Sequence, residues 1–222
     1  EEELQETALR IIGRKVKINY NKFKFNPLAH VAEEVFKEAY AWSSDKVSFI
    51  DHFGSLTCEV LLNKIKHLEH VEQCDFIFLD HLSMIFSGSQ EKDERRLIDN
   101  VMTELAAYVA TSNVGIIAVS HMKRKQVPPF PIVNGEKQPV WIEVSKEDMR
   151  GSGALEQLSW IVIGVEPEIM PDRTRGRVRI VILKNRVWSK LGVADVLKQD
   201  YDTGLLLDAS DDEEPFTTDS MQ

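Results

Sequence analysis

Apolar residues recur along this chain in two rhythms. One has a spacing of three or four, the mark of a helix with one buried face. It covers residues 1–12 (Leu4, Ala8, Ile11), with Gly13 expected as the stop, and residues 27–42 (Val31, Val35, Ala39). It returns at Leu61, Ile65 and Leu68, and is clearest over 92–111, where Leu97, Val101, Leu105 and Val109 run beside Ile98, Met102 and Ala106. The other rhythm is a short unbroken apolar run, at 47–51, 76–79, 114–119 and 160–165. Such runs predict strands buried on both faces, the habit of a parallel sheet covered by helices. Further on, strands are expected near 177–183, 193–198 and 205–207, with turns at 189–192 and 200–204 between them. Connections that short impose antiparallel pairing. The predicted class is α/β, a mostly parallel sheet flanked by helices with antiparallel C-terminal strands.

Between these elements, residues 123–148 hold Pro128, Pro129, Pro131 and Pro139 among charges and predict a long, mobile surface loop. At 222 residues the chain can bury one sizeable core, and 43% hydrophobic with 28% charged residues is ordinary for a globular protein. No apolar stretch approaches the ~18 residues of a membrane span, so no membrane is expected among the partners. Cys58 and Cys74 make neither a disulfide framework nor a metal site. The net charge of −9 argues at first against nucleic acid, yet five acids (Asp211, Asp212, Glu213, Glu214, Asp219) crowd the last fourteen residues and leave −4 for residues 1–208. Within that body lie Lys123-Arg124-Lys125 and the alternating Arg173, Arg175, Arg177 and Arg179. A local basic patch, not the overall sign, decides where a phosphate backbone can bind. Residues 1–208 are expected to form the folded domain and 209–222 an acidic, disordered tail.

Two of the apolar runs stop on chemistry. Residues 76–79 end on Asp80 and His81, and 114–119 end on Ser120 and His121. In open α/β sheets ligands sit beyond the carboxyl ends of strands. An aspartate there suits Mg²⁺ held against the phosphates of a nucleoside triphosphate, and a histidine there can reach a γ-phosphate. The bland alternatives are a strand end capping its loop and a structural histidine. Further along come Arg150-Gly151-Ser152-Gly153-Ala154-Leu155-Glu156-Gln157 and Lys184-Asn185-Arg186.

Taken in order, these strings, with Asp93-Glu94-Arg95-Arg96 and Ile98-Asp99-Asn100, closely resemble the helicase domain of phage primase–helicases, in the DnaB-like hexameric family. The resemblance implies a RecA-like core and an NTP-dependent DNA helicase: a ring, expected to be hexameric, moving 5′ to 3′ along single-stranded DNA and unwinding duplex. It implies ATP or another NTP with Mg²⁺ as cofactors. Asp80 would coordinate Mg²⁺ through water, His121 would sense the γ-phosphate, and Arg186 with Lys184 would serve the neighbouring subunit's nucleotide. Gln157 would relay nucleotide state to DNA loops formed by Lys123, Arg124 and Lys125 and by Arg150, Gly151 and Gly153. The acidic tail resembles one that docks a replicative DNA polymerase, and a plain solubilising tail is the alternative. The setting implied is the cytoplasm of a phage-infected host cell.

The resemblance also has gaps. A phosphate loop needs G-x-x-x-x-G-K-[ST], and this chain has no Gly-Lys pair. The likeness starts after that motif, with Glu1 (or Glu2) where the family carries its catalytic glutamate. The chain is therefore expected to lack its first strand, the phosphate loop and the following helix, and not to hydrolyse ATP alone. The aromatic expected to stack on the base falls near Gln199, with Tyr201 two residues on. Two other readings stay open: a RecA-like recombination or repair ATPase, and a non-hydrolysing accessory subunit.

Overall fold

The computed structural model describes residues 3–50, 57–82, 91–149 and 153–209, with the backbone alone for 91–95. Helix α1 (Leu4–Lys15) does not stop at Gly13 but runs through it. That glycine is a packing residue: a Cβ there would lie 2.9 Å from the Ile18 carbonyl oxygen, and Ile18 N–H donates to the Gly13 carbonyl. The expected helix over 27–42 is split. Proline and the fixed φ it brings favour a 3₁₀ turn at Pro27–Ala29, and α3 begins only at Glu33 and ends at Lys46. With α2 (Tyr20–Phe23), capped by the Asn19 side chain, these helices bury Ile12, Phe23 and Ala39 in a small core of their own. Asn19 ties this unit to the far end of the chain, through Asp202 and Tyr201 carbonyls at 3.1 and 2.7 Å. Residues 47–50, expected as a strand, pair with no strand among the described residues.

The main core is built on α4 (Cys58–His70), β1 (Phe76–Leu79), α5 (Glu91–Thr111) and β2 (Gly115–Ala118). Leu61 and Ile65, Ile77, and Ile98, Val101, Met102 and Leu105 meet there with Val114 and Leu155. β1 and β2 are parallel, with Leu79 opposite Ala118, because α5 carries the chain back between them. Gly115 admits the Phe76 ring, whose nearest carbon would sit 2.7 Å from an added Cβ.

Residues 123–148, expected as one long loop, contain three short strands. β3 (Ile132–Val133) and β4 (Glu136–Lys137) form a hairpin whose turn, Asn134-Gly135, takes positive φ at both positions (52° and 84°). An Asn-Gly pair suits that turn best. β5 (Val140–Trp141) then pairs antiparallel with the end of β6 (Ile161–Ile169). After the short α6 (Gly153–Leu158), β6, β7 (Arg175–Asn185), β8 (Gly192–Gln199) and β9 (Leu206–Asp208) form an antiparallel meander in the order β5-β6-β7-β8-β9. The expectation of a mostly parallel sheet is thus met by a single parallel pair among the described residues. Short turns leave the C-terminal strands no other pairing. Ala209, expected to begin the tail, is buried and bonds the Val196 carbonyl, so it belongs to the sheet. Residues 210–222 lie outside the described ones. No helix among the described residues is long and apolar enough to cross a membrane.

The apolar runs predicted to be covered twice are covered once. Ile77 is buried, whereas Phe76 and Phe78 are 65% and 68% exposed, with Ile117 and Val119 exposed beside them. On β6, Ile161, Ile163 and Val165 are likewise exposed while Val162 is buried.

Candidate functional site

The predicted site residues that the structure describes fall into three groups. The first stands at the carboxyl ends of β1 and β2. In-register pairing there continues past the strands: Val119 N–H donates to the Leu79 carbonyl and Leu82 N–H to the Val119 carbonyl, both at 2.9 Å. Asp80 and His121 are therefore carried on neighbouring strand ends, and both side chains are exposed. Asp80 makes no ion pair or hydrogen bond among the described residues, so its carboxylate is open to a ligand. His81, between Asp80 and the buried Leu82, is half-buried and turns its ring onto that of His121, with centroids 4.3 Å apart and planes at 64°. Glu1 lies outside the described residues.

The second group gathers where α6 ends against β7. A helix leaves its last carbonyls unsatisfied and its C-terminus partly negative. Here Lys184 Nζ donates to the carbonyls of Glu156 and Gln157, the latter at 3.1 Å, and Arg186 donates to the same Gln157 carbonyl. Burial, with the Arg186 charge adding to it, holds the Lys184 ammonium below the usual lysine range. The Glu156 carboxylate takes Lys146 at 2.6 Å. The Gln157 amide lies over Gly153, 3.8 Å from where a Cβ would stand. Gln157 thus lies near the start of α6 and accepts from Lys184 of β7 and from Arg186 just beyond it. Arg150 and Gly151 lie outside the described residues.

Lys123 and Lys125 are engaged at home. Lys123 N–H and Nζ bond the carbonyls of Asp148 (2.7 Å) and Glu147 (2.8 Å). Lys125 Nζ bonds the Glu143 carbonyl at 2.9 Å and the Asp148 carboxylate at 2.5 Å. They close the base of the 123–148 segment. That hydrogen bond from Lys125, with another from Ser145, holds the Asp148 carboxyl down at about 2. Arg124, between the lysines, is exposed.

The alternating arginines of β7 do not form the open basic stripe that the sequence suggests. Arg177 grips the buried Glu168 through Nε and Nη2 at 3.1 and 2.9 Å, and Arg179 lies 4.0 Å over the Trp141 ring. Burial pushes the Glu168 carboxyl up, but hydrogen bonds and charge from Arg177 outweigh it and hold it below its ordinary value. Gly176 is required beside them, since a Cβ there would collide with the Glu168 carboxylate. The readable signal was the alternation of Glu166 and Glu168 on the strand opposite those arginines.

Residues 1–199 match the model of the DnaB-like helicase C terminal domain, and the chain belongs to that family, a RecA-like α/β domain. It is 29% identical over 208 residues, 93% of its length, to a DNA helicase/primase of Enterobacteria phage T3. It is 25% identical over 80% of its length to a probable plasmid replicative DNA helicase of Chlamydia muridarum, and 22% over 62% to one of Chlamydia psittaci. Those matches cover 35%, 36% and 28% of the respective relatives, so the chain spans about a third of their length.

Proposed function

We propose that this chain is the motor portion of a replicative DNA helicase that forms a ring and couples NTP hydrolysis to movement along single-stranded DNA. The observation that carries the reading is the pairing of Asp80 and His121 on adjacent parallel strand ends, in a chain matched by the helicase family over residues 1–199. An exposed carboxylate without protein partners among the described residues suits Mg²⁺, which keeps several waters and takes one or two carboxylates plus phosphates. In this reading Asp80 would hold Mg²⁺ through water, and the ion would supply positive charge beside the phosphate oxygens. His121 faces the γ-phosphate, and Glu1 orients the attacking water.

Arg186 acts in trans in this proposal. A head-to-tail contact that brings it to the next subunit closes into a ring when the rotation allows. Its present hold on the Gln157 carbonyl gives the relay a physical form: moving Arg186 toward a phosphate releases the end of α6, whose first residue is Gly153. DNA then contacts Arg150, Gly151 and Gly153 and the 123–125 cluster. Lys123 and Lys125 shape this surface, and Arg124 is the outward cation for a phosphate. The exposed apolar face carrying Phe76, Phe78, Ile117 and Val119 is a contact surface in this reading.

The test uses the protein as expressed from its own gene. Arg186→Ala lowers kcat by about 10³-fold or more, the range of a trans arginine, while nucleotide still binds. Mixing Arg186→Ala subunits with Asp80→Asn subunits restores part of the turnover, because some interfaces then combine an intact Asp80 with an intact Arg186. Two dead variants that stay dead when mixed overturn action in trans, and undiminished turnover by either variant overturns the site.

A further inference from the structure

We infer that His81 is a positioning residue for His121, and that it fixes the imidazole that meets the terminal phosphate. The inference deepens the helicase reading and rests on it. His121 lies between the end of β2 and the Met122–Met149 bridge, and its own side chain is exposed. A free imidazole there samples several rotamers, and ordering it at the moment of reaction costs entropy. His81 removes that freedom in advance. Its own backbone is set by the turn from Leu79 to Leu82, locked by the two 2.9 Å bonds with Val119. Its ring meets the His121 ring edge to face at 4.3 Å and 64°, an arrangement favoured between aromatic rings. The strand bearing the metal-binding carboxylate thereby orients the histidine of the next strand. Asp80 and His81 share the work: one side chain faces solvent and the ligand, the next turns inward.

The test compares three substitutions at His81 in the intact protein, with DNA-stimulated NTP turnover as the readout. His81→Ala lowers kcat by about 10- to 100-fold, the cost of a misplaced catalytic group. KM stays within about twofold, because ground-state binding is not what is lost. His81→Phe keeps a flat ring at the same place and recovers most of the rate, whereas His81→Leu fills similar volume without a ring edge and does not. A nuclear Overhauser contact between the two imidazoles in the histidine-labelled wild-type chain is expected, and it checks the geometry even if a variant fails to fold. Wild-type turnover in His81→Ala, equal rescue by Leu and Phe, or no contact between the rings would each overturn the inference. His121→Ala separates the two levels. If it is dead while His81→Ala is normal, the helicase site stands and the positioning role falls; if it is active, both fall.

Discussion

Asp148 ties the long segment after β2 to its own start, and its carboxyl is held at about 2 by hydrogen bonds from Lys125 and Ser145. A carboxylate with a depressed folded-state pKa adds stability above its unfolded value, near 3.8, and loses it as pH falls through about 2. The tie should therefore be whole at neutral pH and open between about pH 4 and 2. A carbon-13 titration of Asp148 should show a midpoint near 2, rising toward the ordinary ~3.9 in Lys125→Met. An unshifted midpoint in that variant would mean that Lys125 does not hold the carboxylate. The same residues bear on DNA. Since Lys123 and Lys125 are spent on the loop, Arg124→Ala should weaken single-strand binding and reduce its salt slope by about one ion. Removal of either lysine should act instead through loop order. An unchanged slope in Arg124→Ala places the phosphate contact elsewhere. Sequence alone showed the three bases but not their partners, because Glu143, Glu147 and Asp148 come next to them only when the hairpin folds back.

At the scale of elements, the antiparallel meander was legible almost strand for strand, since alternation and turn residues are local signals. α4, α5 and α6 were legible for the same reason. What failed was whatever depends on a neighbour. The run at 47–51 has the composition of a strand, yet its residues 47–50 pair with no strand among the described residues. Gly13 reads as a helix stop, yet its lack of a side chain serves the approach of Ile18. Gly13→Ala therefore tests packing against propensity. Alanine is the better helix former by about 1 kcal/mol, and a contact of 2.9 Å with a backbone oxygen costs about 1–3 kcal/mol. The steric term is expected to win, lowering the thermal midpoint by a few degrees (roughly 2–4 °C per kcal/mol). A midpoint that rises would mean that the Ile18 carbonyl moves aside freely. The Asp80–His121 pair was legible because strand ends mark ligand sites, but the His81 ring contact was not. Adjacent residues on a strand point to opposite faces, and only the turn after Leu79 brings His81 inward.

At the scale of the whole molecule, the exposed faces of β1, β2 and β6 decide what the chain can do. Parallel strands are covered on both faces in stable proteins, and contiguous apolar patches on a free surface mark a missing contact. Phe76 and Phe78 alone, with Gly115 opposite on β2 admitting the Phe76 ring, make a surface that water does not favour. The prediction is that the 222-residue chain binds an apolar dye strongly and self-associates at micromolar concentration. Phe76→Ser with Phe78→Ser should weaken both without lowering the thermal midpoint by more than about 1 kcal/mol equivalent, because neither ring lies in the buried core. In the protein as expressed from its own gene the same two rings should be protected from hydroxyl-radical labelling, and the double substitution should destabilise it by about 6 kcal/mol or more, the cost of two buried aromatics lost. That reversal, harmless in the chain and costly in the intact protein, is the signature of a face that another segment covers. If both rings label freely in the intact protein, the face is open in the working molecule and no segment covers it.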